Sequence, residues 1–562
     1  MINPYRTLNS HLPERSPPAP DALPSDPKRL RTWVEALPRA NHQAYLQALS
    51  HALDDFRTRR LEGFARLDAL EVLRPMLLEA VTLLTSRLQG STFPLTGTKA
   101  QIANQLMVLQ RELALAYRMA VAEACAPSGK TPFLRGAQVA LALVRATYHH
   151  VRWLATSHFL YRSPEPGAWA QLYALAAFAS AQGLDAKPVE DAAERRSLSV
   201  ALLQNQAALL SLANPYRFSQ RELVDLWSLT RDAASLIELT PQRFAAAGAL
   251  ALIDHDAPPS YAARAPNPDE GDVLWVDLRK LDGVVRAELS HAGGTRETLL
   301  RLSRDFSISL STDLLERVLE GWSQDASRSF ARLDGGYELD SVVGLSALHY
   351  QLAGQQDFDG FMREVRGISM LAADRASWAQ GAGDSVHAAT VTAQVQDQSL
   401  GGYRLRWEAA HGVRARIGEV VGVALPIEDA GRDWAVGMVR WLRYDESGGI
   451  EAGVDLIARR AQAVGLRALD ASGGSSAPVR AIGLTPLEHA SDAPTAPDVP
   501  DAQGEVFLVH ALTGLDAPQV EVVRSGDSRD FDHGGGARVY GCASLRAVQR
   551  AGDYLLVAGT RR

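Results

Sequence analysis

The residues best suited to chemistry lie in the stretch TVTAQVQDQSLGGYRLRW, residues 390–407. Asp397, Ser399 and Gly402 stand there at close spacing between two runs of alternating polar and apolar residues. A carboxylate accepts hydrogen bonds from N–H donors, and a neighbouring hydroxyl can donate or accept. Gly402 has no Cβ and lets a bound molecule approach the backbone. Asp and Ser also bond their own backbone in ordinary turns, so a ligand site and a plain hairpin both remain open here.

Strands must position these residues. Apolar and polar residues alternate on both sides of the motif, in a period of two that predicts two half-buried strands; the apolar members are Val391, Ala393, Val395, Tyr403, Leu405 and Trp407. The segments ARIGEVVGVAL, WAVGMVRWLRY and GIEAGVDLI follow, each with strand character and separated by turn residues. Several short strands in succession predict a small β-barrel.

Residues 384–465 resemble the PilZ domain, a six-stranded barrel that binds the bacterial second messenger cyclic di-GMP. Asp397, Ser399 and Gly402 match its motif of Asp or Asn, any residue, Ser, two residues of any kind and Gly. The later runs Val436–Gly437, Val439–Arg440–Trp441 and Gly453–Val454–Asp455–Leu456 also match. The resemblance implies that Asp397 and Ser399 bind a guanine edge. It also implies phosphate contacts from two arginines, separated by three residues, in a loop ahead of the first barrel strand.

That arginine pair is not found in FMREVRGISMLAADRASWAQGAGDSV, the stretch directly ahead of the predicted barrel. Arg375 lies there at a suitable distance, and Arg404 and Arg406 after the motif are possible substitutes. Two interpretations follow. In the first, the protein is a cyclic di-GMP receptor that couples the ligand to a protein partner in motility, pilus or biofilm control, with Arg375 ordered by the ligand. In the second, it is a degenerate PilZ-like scaffold that binds no nucleotide.

The chain of 562 residues is too long for one core and is predicted to be multidomain, α then β. Apolar residues recur at spacings of three and four through most of the first half, which predicts amphipathic helices. The expected order is a disordered tail (1–28), an all-α bundle or solenoid that binds a protein partner (29–255), a mixed α+β connector (256–383), the six-stranded barrel (384–465), a linker-like segment (466–502) and a small β unit (503–562).

Three predictions concern the connector. The segment VLWVDLRKL is expected to be a strand, and TRETLLRLSR and STDLLERVLEGWSQ are expected to be helices. Ser311 or Thr312 is expected to cap the second of these helices, because a hydroxyl at that position accepts from the first backbone N–H groups.

Charge and cysteine content indicate the class of partner and the compartment. The net charge of −7 argues against nucleic-acid coating. Two distant cysteines, Cys125 and Cys542, indicate a reducing compartment, and we expect a cytoplasmic protein without a transmembrane segment.

No catalytic or metal-binding constellation is predicted. ACAPSGKT follows a helix and lacks the first glycine of a phosphate-binding loop. His149, His150 and His158 have no carboxylate at ligand spacing, and the run from Asp527 to His533 is typical of a solvated loop. We therefore expect a non-enzyme without a metal or other cofactor.

Overall fold

A computed structural model of the protein describes residues 3–10, 12–20, 22–245, 247–264, 272–292, 297–302, 306–323, 332–366, 389–426, 432–444, 447–469, 476–486, 504–513, 519–524 and 539–562. The chain forms two compact units. The first comprises Met1–Ser91 and Leu95–Ser327, and the second comprises Thr92–Pro94 and Arg328–Arg562. Among the helices in the described ranges, none has the length and apolar character needed to cross a membrane.

The first unit is mainly helical, as the apolar spacing predicts. Its long central helices bury continuous apolar faces, with Leu70, Leu77, Leu113 and Leu143 fully inaccessible to solvent. The helices in its described residues are α1 (Pro4–Asn9), α2 (Pro27–Glu35), α3 (His42–Thr58), α4 (Ala65–Leu88), α5 (Gly97–Ala124), α6 (Gly136–Phe159), α7 (Ala168–Ala181), α8 (Val200–Leu212), α9 (Gln220–Ala233), α10 (Arg279–Ala292) and α11 (Thr312–Trp322).

The first residues of the chain are part of this helical unit. Leu8 of α1 is fully buried, the Tyr5 ring lies 5.9 Å from the Phe178 ring, and the Tyr5 hydroxyl donates to the Ala122 carbonyl at 2.9 Å. The prediction of a disordered tail over residues 1–28 is corrected by these contacts. The proline content that suggested disorder instead places Pro4 and Pro27 in first helical turns, where a missing N–H costs nothing.

Short strands complete the first unit, in part within the range predicted as all-α. They are β1 (Val189–Asp191), β2 (Arg196–Leu198), β3 (Glu238–Thr240), β4 (Ala249–Leu252), β5 (Ser260–Tyr261), β6 (Val273–Asp277), β7 (Glu297–Arg301) and β8 (Ser307–Ser311). β1 pairs with β2 and β7 with β8, and the remaining four form a sheet in the order β3-β6-β4-β5.

Two of the three connector predictions are confirmed. VLWVDLRKL contains β6, and α11 begins after Ser311, whose Oγ accepts from the Leu314 N–H at 3.1 Å. The helix predicted over TRETLLRLSR is wrong, because Glu297–Arg301 within it form β7. There Thr298 and Leu300 are buried between exposed neighbours, so the period of two overrides the leucine spacing.

The second unit contains two rings of antiparallel strands. Its strands are β9 (Leu333–Asp334), β10 (Glu338–Val343), β11 (Val391–Ser399), β12 (Gly402–Trp407), β13 (Val420–Ala424), β14 (Ala435–Tyr444), β15 (Ile450–Leu469), β16 (Val479–Pro486), β17 (Gly504–His510), β18 (Gln519–Arg524), β19 (Val539–Ala551) and β20 (Tyr554–Arg561). Two helices, α12 (Leu345–Leu352) and α13 (Phe358–Arg366), follow β10.

The first ring closes through six strands. Hydrogen-bonded neighbours run β12-β11-β10-β13-β14-β15, and β15 pairs again with β12. The second ring runs β15-β16-β17-β20-β19-β18 and closes by pairing of β18 with β15. Numbered from its own first strand, each ring has the same connections, 1-2, 2-3, 3-6, 6-5, 5-4 and 4-1. β15, with 20 residues, is the last strand of one ring and the first of the other.

These rings correct three predicted boundaries. The barrel begins at Glu338 rather than at residue 384, because β10 pairs with both β11 and β13. The C-terminal strands do not stand alone as a small unit, since they complete the second ring. The segment predicted as a linker carries the end of β15 and all of β16.

In the sequence, helices α12 and α13 come between β10 and β11, the first two strands of the first ring. Phe358, Phe361 and Met362 of α13 pack against Ala463 and Val523 of the second ring. This insertion separates β10 from β11 in sequence, and it explains why β10 was assigned to the connector.

Candidate functional site

The Asp-x-Ser-x-x-Gly motif lies at the end of β11 and the start of β12. β11 continues through Ser399, which pairs with Gly402, so that only Leu400 and Gly401 form the turn. The register shifts between Val395 and Asp397. Such a bulge re-aims side chains, and here Val395 is buried in the ring while Asp397 is only partly buried.

A row of directly paired residues crosses the outer face of the first ring. Asp397 pairs with Asp334 of β9 and with Arg404, Arg404 pairs with Gly453, and Gly453 pairs with Trp441. Directly paired residues share one face of a sheet. The adjacent row, Val395, Leu405, Ala452 and Leu442, is fully buried inside the ring. The closed ring therefore presents an acid, an arginine and an indole side by side on its surface.

Ion pairs organise the charges in this row. Arg332 Nη1 lies 2.5 Å from Asp397 Oδ1, and Arg404 Nη1 lies 3.6 Å from Asp397 Oδ2. Arg404 Nε also contacts Glu451. Asp397 and Asp334 stand directly opposite each other, and like charges in this position repel. The two arginines offset that repulsion. The side chains of Arg332 and Arg404 are 39% and 42% exposed, so both guanidiniums remain open to a ligand.

Trp441 is partly exposed and lies over a glycine. A Cβ built on Gly453 would come within 1.9 Å of the indole Nε1 and 2.4 Å of Cδ1. The indole can therefore occupy this position only because residue 453 has no side chain. A flat aromatic ring in the same row as Arg404 and Asp397 offers a stacking surface for a planar base.

Gly402 has a structural role that the sequence did not reveal. A Cβ at this position would lie 2.1 Å from the Val454 carbonyl oxygen. The close approach made possible by this glycine is therefore that of β15, which closes the ring against β12. Nothing in this geometry requires a ligand at Gly402 itself.

The structure brings four of the predicted site residues together at the hairpin: Asp397, Ser399, Gly402 and Arg404. Arg406 lies two residues further along β12, exposed and on the same face as Arg404. Arg375 lies outside the described residues, and its role stays a prediction.

Sequence reasoning missed Arg332. The segment Arg328-Ser-Phe-Ala-Arg332 has two arginines separated by three residues, and it ends directly ahead of β9 and β10. Arg328 lies outside the described residues, whereas Arg332 pairs with Asp397. The signal was present in the sequence. A barrel predicted to begin at residue 384 places the arginine loop about 50 residues after Arg328, so that prediction excludes this segment.

The histidines considered as ligands are buried within the helical unit. His149 Nε2 accepts from Arg74 Nε at 3.2 Å, and burial together with Arg74 and Arg145 lowers the pKa of His149 well below its usual value. His150 bonds the Ala168 carbonyl at 2.6 Å, and burial lowers its pKa to about 4. Within the part of the chain that the structure describes, no group of three or more His, Cys, Asp or Glu side chains could hold a metal ion. The run from Asp527 to His533 is outside that part.

The strand order and the motif residues agree with two matches to known domain families. Residues 250–390 and 370–463 match the domain family described as the middle PilZ domain of the cyclic-di-GMP receptor FimW. Residues 28–243 match the N-terminal domain of the same receptor. The chain therefore contains a PilZ domain, as the resemblance implied, and the helical domain predicted from the apolar spacing precedes it.

A curated relative matches most of the chain. The chain is 26% identical over 526 residues to the cyclic-di-GMP receptor FimW of Pseudomonas aeruginosa, and the alignment covers 85% of each protein. No solved structure matches the chain.

Proposed function

We propose that this protein is a cyclic di-GMP receptor that binds its ligand on the outer face of the first ring. The observation that carries the proposal is the contact between Arg332 and Asp397. It joins the second arginine of an Arg-x-x-x-Arg segment to the acid of the Asp-x-Ser-x-x-Gly motif. The two sequence features that the PilZ resemblance requires are thus adjacent in space. The similarity to the Pseudomonas aeruginosa protein, a cyclic-di-GMP receptor, supports the same conclusion.

Each group at the site has a role that its chemistry suits. The Asp397 carboxylate accepts from the N1–H and N2–H donors of a guanine, and the Ser399 hydroxyl adds a bond beside it. Arg332 and Arg328 bind the phosphodiesters, with Arg404 as a further cation, because a guanidinium pairs with phosphate through two parallel hydrogen bonds. Trp441 stacks on a base.

The ion pair between Arg332 and Asp397 does not block the site. Partly exposed pairs contribute about 0–1 kcal/mol, because solvent screens them and their side chains lose freedom. A ligand that offers donors to Asp397 and a phosphate to Arg332 replaces that weak pair with two charge-assisted contacts. The pair therefore holds both groups in position at little cost to binding.

We further propose that the helical unit contacts a protein partner and that ligand binding alters this contact, in motility, pilus or biofilm control. The protein acts by binding rather than by catalysis, and its two buried cysteines suit the reducing cytoplasm. Arg375 and Arg406 remain proposed accessory contacts. The alternative of a ligand-free scaffold was based on the missing arginine pair, and Arg328 and Arg332 remove that basis.

Calorimetric titration of the full chain with cyclic di-GMP tests the proposal. Arg332→Ala and Asp397→Ala should each weaken binding by about 10- to 150-fold, since a charge-assisted hydrogen bond contributes about 1.5–3 kcal/mol.

Matched controls are available within the chain. Arg363→Ala removes an exposed arginine of α13, and Asp553→Ala breaks a pair with Arg416, an arginine about as exposed as Arg332. Both controls should bind as the wild type does. Absence of binding by the wild type, or equal losses in the controls, would overturn the receptor assignment.

A further inference from the structure

The loop of residues 130–135, between α5 and α6, exposes two adjacent apolar side chains. Phe133 is 89% exposed and Leu134 is 86% exposed, the two highest values among the large apolar residues that the structure describes. Single exposed apolar residues are ordinary, but two consecutive ones at a loop tip are a small apolar surface without a partner.

The base of this loop is fixed. The Thr131 N–H and hydroxyl both donate to Gln182 Oε1, at 2.8 and 3.0 Å, and the Arg135 N–H donates to the Pro132 carbonyl at 3.0 Å. Leu134 has a φ of 60°, in the left-handed region that a leucine rarely adopts. The backbone is thus hydrogen-bonded on both sides of the two exposed side chains. No burial of Phe133 or Leu134 compensates for the left-handed conformation at Leu134.

Cations flank the tip. Lys130 and Arg135 are both exposed, and Lys187 Nζ lies 3.7 Å from the Cβ position of Gly136. Arg135 lies 5.7 Å from the ring centroid of Phe64. In sequence, the acids closest to these contacting residues are Glu62, two residues before Phe64, and Asp185, two residues before Lys187. Three cations and two acids give the tip a local positive balance within a chain of net charge −7.

We infer that the 130–135 loop docks on an anionic lipid surface, with Phe133 and Leu134 inserted among the acyl chains and the cations at the headgroups. Aromatic and leucine side chains favour this depth, and lysine or arginine beside them binds anionic headgroups. A stable protein interface buries roughly 800 Å² on each partner, far more than one dipeptide presents. The exposed dipeptide alone is much smaller than such an interface, whereas its size suits insertion at a membrane surface. This inference is independent of cyclic di-GMP binding.

Flotation of the full-length protein with lipid vesicles tests the inference. The probes are vesicles of phosphatidylcholine alone and of phosphatidylcholine mixed with phosphatidylglycerol. The wild type should bind the mixed vesicles, and raising the salt from about 0.1 to about 0.5 M should reduce that binding because the headgroup attraction is screened.

The double variant Phe133→Ser/Leu134→Gly removes the apolar tip. Glycine tolerates the left-handed φ at position 134, so this variant should fold. Its partition onto the mixed vesicles should fall about 10-fold or more, given the apolar area withdrawn from the bilayer. Leu512→Ser is the matched control, because Leu512 is 68% exposed in a loop of the second unit.

Two results would refute lipid docking. One is binding to the mixed vesicles by the double variant at the wild-type level. The other is no binding of the wild type to the mixed vesicles; a self-association that the double variant abolishes would then assign the tip to a protein contact.

Discussion

The substitution Gly453→Ala tests the Trp441 stacking surface without changing any charged residue. The new Cβ would stand 1.9–2.6 Å from three indole atoms, Nε1, Cδ1 and Cε2. These distances are shorter than any stable contact, so the indole must rotate away. Because the three atoms nearest to the new Cβ all belong to the Trp441 side chain, the pairing of β14 with β15 can persist.

The substitution should change the affinity for cyclic di-GMP and the stability of the protein by different amounts. Stacking of a base on an aromatic ring is worth about 1–3 kcal/mol, so displacing the indole should weaken cyclic di-GMP binding by about 5- to 150-fold. Alanine in a strand recovers about 0.5–1 kcal/mol of the backbone entropy that glycine loses on folding. That gain offsets part of the packing disturbance, and we expect the stability to change by less than about 1 kcal/mol.

Calorimetric titration with cyclic di-GMP and thermal unfolding, on the same preparations, separate affinity from stability. Trp441→Ala should match the affinity of Gly453→Ala, and the double variant should be no weaker than either single variant, because both remove the same contact. Gly541→Ala is the control, since a Cβ on this strand glycine meets nothing within 4 Å.

Two outcomes would refute the stacking role. In one, Gly453→Ala binds cyclic di-GMP as tightly as the wild type does while Asp397→Ala does not. In the other, the losses of the two single variants add in the double variant, which would mean that Gly453 and Trp441 act separately.

Two further predictions concern stability. Burial, with Arg480 nearby, lowers the pKa of His349 to about 3, so this side chain stays neutral in the folded second unit, whereas it binds a proton below about pH 6.5 when unfolded. The stabilisation that the neutral imidazole gives is therefore complete above that pH. Between pH 7.5 and pH 5, the free energy of unfolding measured in urea should fall by about 2 kcal/mol. A fall of the same size in His349→Gln would contradict this assignment. Ser311→Ala should destabilise the first unit by about 1 kcal/mol, because the Leu314 N–H loses its acceptor. Ser309→Ala, an exposed strand position two residues earlier, should leave the melting temperature unchanged, and equal effects of the two substitutions would exclude a capping role.

The sequence predicted most accurately the features that depend on local pattern. The alternation around Asp397 indicated β11 and β12, and Ser311 was recognised as a helix cap, since both signals lie within a few residues. β10 was missed because its partner β11 begins about 50 residues later, beyond two helices, and only the tertiary pairing joins them.

The same displacement hid the site arginine. With the first strand set at residue 384, the segment Arg328–Arg332 had no reason to be considered, although its spacing is visible in the sequence. The roles of Gly402 and Gly453 could not be predicted either. They depend on atoms of Val454 and Trp441 that approach across strands, and no spacing along the chain encodes such distances.

The shared strand β15 limits how this protein can be divided. A cut after residue 463, where the PilZ match ends, leaves the first ring its paired residues, Ile450–Ala458, but removes the stretch that pairs with β18. It also uncovers Phe358, Phe361 and Met362 of α13, which pack against Val523. A fragment made at the PilZ boundary would therefore carry an apolar helix and an open strand edge, both of which promote aggregation. The smallest unit suitable for isolation is the pair of rings rather than the single PilZ domain.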